Sequence, residues 1–385
     1  MSSKKIIGLG VAGIIALILI SSTIGTTPSA AGDEHSPGLK NDVEITTEVL
    51  WKDNGTMYFD GNITISAGGK LIIDNTTVSF NATPTVPFAL VVKSGGELWV
   101  LNNSRIDVTP PTKKQQNSFY FRVERDATLV MENSTLSNCG RSFAPWENAG
   151  LFISSDNVTI YNSAVTNNYC GLVVNGSSPL KIEGNKILKN TRYGVVLVRA
   201  SCNLTNNTIE GNGEVTDDAG IVFDSSSELT LFGNNILGNT NNGIRGYGGM
   251  LTMANNNISK HASHGMFLES AIDSAKVELV SNNISSNGRG LALCYVYGNI
   301  TNNIFEGNNL GISIAGVGAA ELKIANNRIE NNPGTGIIFA DSSSAEVIGN
   351  TIAGNGEDGI RCYEYSRPTI RDNIISYNGR NGICL

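Results

Sequence analysis

Apolar residues along this chain arrive as isolated touches among Asn, Gly and charge, as in "GNTIAGNGEDGIRC" at 349–362. No amphipathic helix fits such a stretch, because Gly354, Gly356 and Gly359 would each cost roughly 1 kcal/mol inside one. No half-buried strand fits either, since apolar and polar residues never alternate for long. The order lies in a longer period. Gly followed by an apolar residue recurs at Gly150, Gly171, Gly194, Gly220, Gly243, Gly265, Gly290, Gly311, Gly336, Gly359 and Gly382, at gaps of 21 to 26 residues. An apolar anchor stands before each from Gly171 onward, running from Val165 and Ile187 to Ile352 and Ile375. Weaker copies have anchors at Val78, Ile106 and Leu136. Thirteen units are visible.

Two polar columns flank the anchor. Two residues before it stand Asn185, Asn207, Asn234, Asn256, Asn282, Asn303, Asn327, Asn350 and Asn373, with Thr76, Ser104, Ser134 and Ser163 in the first four units. Three residues after it stand Asn168, Asn190, Asn212, Asn239, Asn287, Asn308, Asn332, Asn355 and Asn378, with His261 as the exception. Asn tolerates left-handed backbone and bonds to its neighbours, so it suits a tight bend between short strands. Stacked identical Asn side chains also bond to one another in a ladder. Each copy therefore reads as strand, Asn bend, short strand, Asn bend, strand.

A unit of this size without a helix cannot bury its apolar side alone, but stacked on copies of itself it can. Successive coils pair through parallel ladders at about 4.8 Å, and parallel crossovers are overwhelmingly right-handed. Inward positions are the anchors plus pairs such as Leu229/Leu231 and Ile221/Phe223. On these columns the sequence resembles the right-handed parallel β-helix repeat proteins of the pectin-lyase-like superfold. The Asn-rich flavour is similar to archaeal and bacterial surface proteins, including the copper-site maturation factor of nitrous oxide reductase. The resemblance implies an all-β, single-stranded right-handed parallel β-helix over residues 45–385, with about thirteen coils of 21–30 residues and asparagine ladders. It implies little about activity, because this scaffold hosts lyases, hydrolases, epimerases, adhesins and spacers.

The 385 residues are 16% charged and 7% aromatic, with 43 Gly and a net charge of −7. No basic run is present, which argues against nucleic acid as a partner. Lys4 and Lys5 precede an apolar run from Ile6 to Ile20 and then small residues up to Ala31. That layout predicts a secretory leader over 1–31 or a retained membrane anchor, followed by a linker over 32–44, with the solenoid outside the cytoplasm. Thirteen Asn-x-Ser/Thr sequons agree with an exterior location: Asn54, Asn62, Asn75, Asn81, Asn102, Asn133, Asn157, Asn175, Asn203, Asn206, Asn257, Asn283 and Asn299. An Asn-rich chain also produces sequons by chance, and a ladder Asn facing inward cannot carry a glycan. Six cysteines, Cys139, Cys170, Cys202, Cys294, Cys362 and Cys384, show no metal-binding spacing. Cys202 and Cys362 fall on inward positions, and Cys139 and Cys170 sit at bends of consecutive coils where they could pair.

Candidate chemistry gathers just before the repeated Gly. That column carries Glu147, Arg192, Asp217, Asp218, His264, Arg289 and Asp358 on one side of the rod, beside the longer loops 140–149 and 213–219. Arg192, Arg289 and Asp358 are candidate ligand-binding residues. Compared with the polygalacturonase pattern, Asp217-Asp218 resembles the family's Asp pair and Ser263-His264-Gly265 its Gly-His-Gly. The two lie two coils apart, and the family's Asn-Thr-Asp and Arg-Ile-Lys motifs are missing. Inverting hydrolysis needs carboxyls about 6.5–9.5 Å apart around a water, and no such pair can be named. Asp217, Asp218 and His264 are thus the best catalytic candidates of a chain that reads as non-catalytic. No metal or cofactor is expected, and His261 and His264, three apart without a third ligand, read as surface histidines.

Two surfaces invite partners. Phe152, Val173, Val196 and Val222, with Phe267 two coils further on, should point outward as an apolar strip. The last coil, ending "NGICL", offers unpaired edges for self-association. The reading that follows is a secreted or membrane-tethered surface module, structural or polysaccharide-binding. The alternatives are a lyase or hydrolase of acidic polysaccharide, and an envelope maturation factor.

Overall fold

In the computed structural model, residues 42–385 are described, apart from 84, 110–117, 142–144, 177–179, 272–274 and 317–321. The expected leader and nearly all of the expected linker lie outside these residues. No helix among the described residues is long and apolar enough to cross a membrane.

The described chain is a right-handed parallel β-solenoid. From Ala89–Val92 onward each full coil contributes one strand to each of three faces, whereas Glu48–Phe59 and Lys70–Phe80 each run unbroken across the second and third. The first face is a sheet of fifteen strands running from Val43–Ile45 through Ala219–Phe223 to Ile383–Cys384. The second face holds strands such as Glu228–Phe232, and the third holds the short anchor strands such as Asn235–Leu237. In the central coils strands stack without register drift: Leu229 pairs with Leu251, Ile236 with Ile258, and Ile221 with Ile244. Fifteen first-face strands bound fourteen turns, one more than the repeat predicts. The extra coil is the most N-terminal, where Met57 pairs with Val78 in the anchor column. Its strand Glu48–Phe59 is largely exposed and carries a register shift between Lys52 and Gly55, which erases the repeat from its sequence.

The anchors and inward pairs fill one continuous core: Ile236, Ile258, Ile284, Phe305 and Ile329 are wholly buried, as are Leu229, Leu231, Ile221 and Phe223. At the N-terminal end this core becomes aromatic, with Trp51, Phe59, Phe80 and Phe119 in sequence at centroid separations of 5.3, 6.2 and 4.7 Å.

Both Asn columns form ladders. Asn282 Oδ1 accepts from the backbone N and the Nδ2 of Asn256, each at 2.9 Å. Asn282 Nδ2 donates to Met253 O at 3.2 Å and to Asn303 Oδ1 at 3.0 Å. The hydroxyl rungs perform half of this task, as where Ser163 Oγ accepts from Ser134 N at 3.1 Å. The bends divide their labour differently from the sequence expectation. The left-handed residue is the one before the rung, never the rung itself: Asn206 (φ 54°) before Asn207, Ser281 (φ 55°) before Asn282, Gly354 (φ 65°) before Asn355. A rung must place its amide inside the coil, and the preceding residue absorbs the turn. The repeated Gly has a separate cause. A Cβ at Gly265 would stand 2.6 Å from Gly290 O and 2.9 Å from Asn287 Nδ2, so the second ladder leaves room only for hydrogen.

His261 is a rung. It is 2% exposed, its backbone N donates to Asn287 Oδ1 at 3.0 Å, and its Nδ1 accepts from Asn239 N at 3.1 Å. Its Nε2 lies 3.0 Å from Ile236 O, where an Asn would place its NH2. The expectation of a surface histidine is therefore wrong here. Burial lowers its pKa to about 4, so it is neutral. All six cysteines are free thiols, Cys139 and Cys170 included; Cys139, Cys170 and Cys202 are buried, and burial pushes Cys170 up to about 12. Cys362 is half-buried against the core.

Candidate binding surface on the first face

The residue before the repeated Gly lies at the edge of the first face, and there the stacking brings several coils into register. Asn242 pairs with His264, His264 with Arg289, and Arg289 with Leu310. The outward residue of each strand stands beside this row, and Arg245 pairs with Phe267.

The N-terminal members of the charged column are occupied. Asp218 is wholly buried: its Oδ1 accepts from Arg192 Nε at 2.6 Å, and its Oδ2 from the backbone N of Glu214 at 2.8 Å and of Val215 at 2.9 Å. It ties down the loop 213–219, while Asp217 beside it faces solvent. Glu147 is exposed on the short 3-10 turn Trp146–Asn148. At the far end, Asp358 is buried between Arg361 Nε and the backbone and side-chain nitrogens of Asn381 at 3.0 and 2.9 Å. Asp217 and Asp218 are thus not joined to His264 as a reacting set, and Arg192 and Asp358 are committed to internal pairs.

The apolar strip is covered. Phe152, Val173 and Val196 are 7, 0 and 2% exposed, and with Ala149 and Cys170 they form a second apolar cluster outside the main core. Trp146, Tyr169 and Tyr193 pack over it. Strand alternation does turn the strip away from the main core, as expected. The covering aromatics come from bends and from the loop 140–149, outside the repeated column, so the strip offers no free surface there. Val222 is half-buried at its margin, and Phe267 stands apart.

The middle of the row is different. Phe267 stacks on His264 at 5.1 Å between centroids, and the Arg245 guanidinium lies over the rings of Phe267 at 5.1 Å and Tyr247 at 4.8 Å. Arg245 Nη2 reaches Glu269 Oε1 at 3.3 Å. His264 Nδ1 contacts Ser263 Oγ at 2.7 Å and Asn242 Oδ1 at 3.0 Å. Nδ1 is thus held between a hydroxyl and a side-chain amide. Burial, then the charges of Arg289 and Arg245, lower its pKa to about 4. His264 is half-buried, so the expected surface position holds only in part. Arg289 is exposed and has no ion-pair partner among the described residues, and it borders a depression of about 410 Å3 with Ser263, His264 and Asn309.

Four buried polar side-chain atoms in the described residues lack a hydrogen-bond partner, and two of them lie on this one strand: Asn242 Nδ2 and Arg245 Nε. A larger groove of about 960 Å3 crosses the second face near Lys276, Tyr297 and Lys323. Its charges largely neutralise one another, Lys276 with Glu278 at 3.3 Å and Lys323 with Glu346 at 3.5 Å, and it holds no orphaned donor. The smaller site therefore carries the stronger chemical signal. Asn242 and Arg245 were missed in the sequence, where they look like an ordinary bend residue and an interruption of the apolar strip. No group of metal-binding side chains occurs among the described residues.

A family model described as right handed beta helix region matches residues 88–258 and 274–385. The chain belongs to this right-handed β-helix family. Solved structures similar to this β-helix include the periplasmic alginate epimerase AlgG, 13% identical over 86% of this chain and 78% of that chain, with a TM-score of 0.57. PfbA, a surface adhesin of Streptococcus pneumoniae, is 15% identical over 87% of this chain and 85% of that chain, with a TM-score of 0.45. At such identities the likeness is one of fold. No curated protein matches this β-helix by sequence.

Proposed function

We propose that this β-helix is an exported surface or envelope module that binds acidic polysaccharide along the outside of its first face, centred on Asn242, Arg245, His264, Phe267 and Arg289. The observation that carries the reading is the pair of unpartnered donors, Asn242 Nδ2 and Arg245 Nε, beside a stacking platform. A buried donor without an acceptor costs about 1–3 kcal/mol, and native folds retain few such groups without a use for them. Both donor atoms are closed to solvent as the chain stands, so an entering carboxylate or ring hydroxyl supplies the acceptors only once these side chains turn outward to meet it. Tyr247, 45% exposed, offers a flat apolar face to a sugar ring beside the His264–Phe267 stack, and Arg289 offers a free cation. The named activity of AlgG, alginate epimerisation, accords with a chain-shaped acidic ligand on such a scaffold.

One observation favours catalysis as a second reading: an uncharged, half-buried imidazole, His264, stands between two cations, Arg245 and Arg289, at the edge of the depression. The two readings separate in one experiment. The full chain is titrated with polyuronates and with neutral glucans, and the same mixtures are followed for unsaturated uronide and for reducing ends. The binding reading expects saturable association with polyuronate, weakened at least tenfold in Arg245→Ala and Phe267→Ala, with no product. Product formation abolished by His264→Ala would move the chain to the lyases or hydrolases. Equal, non-saturating association with every glycan would sink the surface altogether.

A further inference from the structure

The thirteen sequons stand outside the function argued above, and the fold separates them from the ladders. No sequon Asn is a rung, and none of the thirteen is buried. Chance would scatter sequons among the asparagines. Instead residues 300–385 contain thirteen asparagines and not one sequon. Nor does the fold require the hydroxyl. Asn206, Asn302 and Asn326 are left-handed residues at the same bend, each followed by a rung. The next position holds Thr208 in the first case, and Ile304 and Arg328 in the others.

Three sequons are open at both the asparagine and the hydroxyl. Asn157, Asn203 and Asn206 are exposed, and none of their side-chain nitrogens makes a hydrogen bond among the described residues. Their hydroxyl partners Thr159, Thr205 and Thr208 are outward residues of short strands and are also unengaged. By contrast Asn75 and Asn102 give their Nδ2 to Asp53 and Asp74, each at 2.7 Å, and Ser104, the hydroxyl partner of Asn102, is a buried rung. Asn157 and Asn203 lie on the second face and Asn206 at its corner with the third, so none stands on the first face.

We propose that Asn157, Asn203 and Asn206 are N-glycosylated, so that the N-terminal half carries glycans on and beside its second face, away from the first-face row of Asn242, His264 and Arg289. In each case Asn Nδ2 attacks the anomeric carbon of a lipid-linked oligosaccharide. The C–N bond forms, the bond from that carbon to the lipid phosphate oxygen breaks, and the amide proton is lost to a base. The test is mass spectrometry of the full chain recovered from the cells that make it. Peptides covering the three sites should carry glycan, while those covering Asn350, Asn355 and Asn373 stay unmodified. Combined Thr159→Ala, Thr205→Ala and Thr208→Ala substitution should abolish the added mass with every asparagine still in place, and Thr→Ser at the same positions should retain it. A chain recovered with all three asparagines unmodified, inside or outside the cell, overturns the proposal, as does added mass that survives the triple alanine variant.

Discussion

Asn282 and Asn242 are both 1% exposed, and the molecule holds them in opposite ways. Asn282 sits in the first ladder with both side-chain atoms engaged on both sides. Asn242 sits on the first face, its Oδ1 shared with His264 and its Nδ2 facing no acceptor. The same side chain at the same burial is a structural member in one place and an unfinished hydrogen bond in the other. Burial of a polar group is thus no guide to its role until its partners are counted. The ladder region holds the coils together, and the first-face row keeps donors in reserve.

The contrast is sharpest in stability. Asn282→Ala strands buried groups on both neighbouring coils, and the denaturation midpoint should fall by an amount equal to about 3 kcal/mol. An unchanged midpoint would break the claim that the ladder stabilises the rod. His261 gives the next largest effect. Its folded pKa, about 4, lies below the ordinary value of 6.5, so the unfolded chain takes up the proton first. Stability is full above pH 6.5 and declines as pH falls towards 4, by about 2 kcal/mol at one pKa unit per 1.36 kcal/mol with allowance for local relaxation. His261→Asn should flatten urea midpoints measured across that window, because an amide continues the ladder without titrating. A slope that survives the substitution would assign the acid sensitivity elsewhere.

Hydroxyl rungs should cost less to remove. Ser163→Ala strands chiefly the N–H of Ser134 and should lower stability by about 1 kcal/mol. Asn242→Ala should be the mildest, within about 0.5 kcal/mol of the parent, since it removes one satisfied atom and one orphan together. Its polyuronate affinity should nonetheless fall at least tenfold in the titration that tests Arg245. A large stability loss with intact binding would make Asn242 another structural rung and dissolve the distinction.

The ladders were legible in the sequence because a rung recurs in every coil and each coil obeys one geometry. Asn185 through Asn373 could be aligned by eye, and even the exception, His261, was visible as an exception. Its burial was not, since a single residue in a column does not reveal whether its ring can mimic an amide. The first coil was hidden for a related reason: its register shift between Lys52 and Gly55 puts Met57 out of phase with a repeat that its own strand obeys. The site was harder still. The strip of Phe152, Val173 and Val196 was placed on the right strands and its exposure misjudged, because Trp146, Tyr169 and Tyr193 reach it from irregular segments. Orphaned donors leave no mark in a sequence at all, because they are defined by what neighbouring coils fail to supply.

The first ladder also has a direction. From Asn185 to Asn373 each amide oxygen faces the rung before it, and each NH2 gives a hydrogen to the rung after it. Amide dipoles aligned head to tail add, as peptide units do along a helix, and hydrogen bonds in such a chain polarise one another. The second ladder runs the same way until His261, where Asn239 Nδ2 bonds only to Ile209 O. The solenoid therefore has an internal electric axis, positive towards its later coils, carried by uncharged side chains and unaffected by pH while the ladder stays intact.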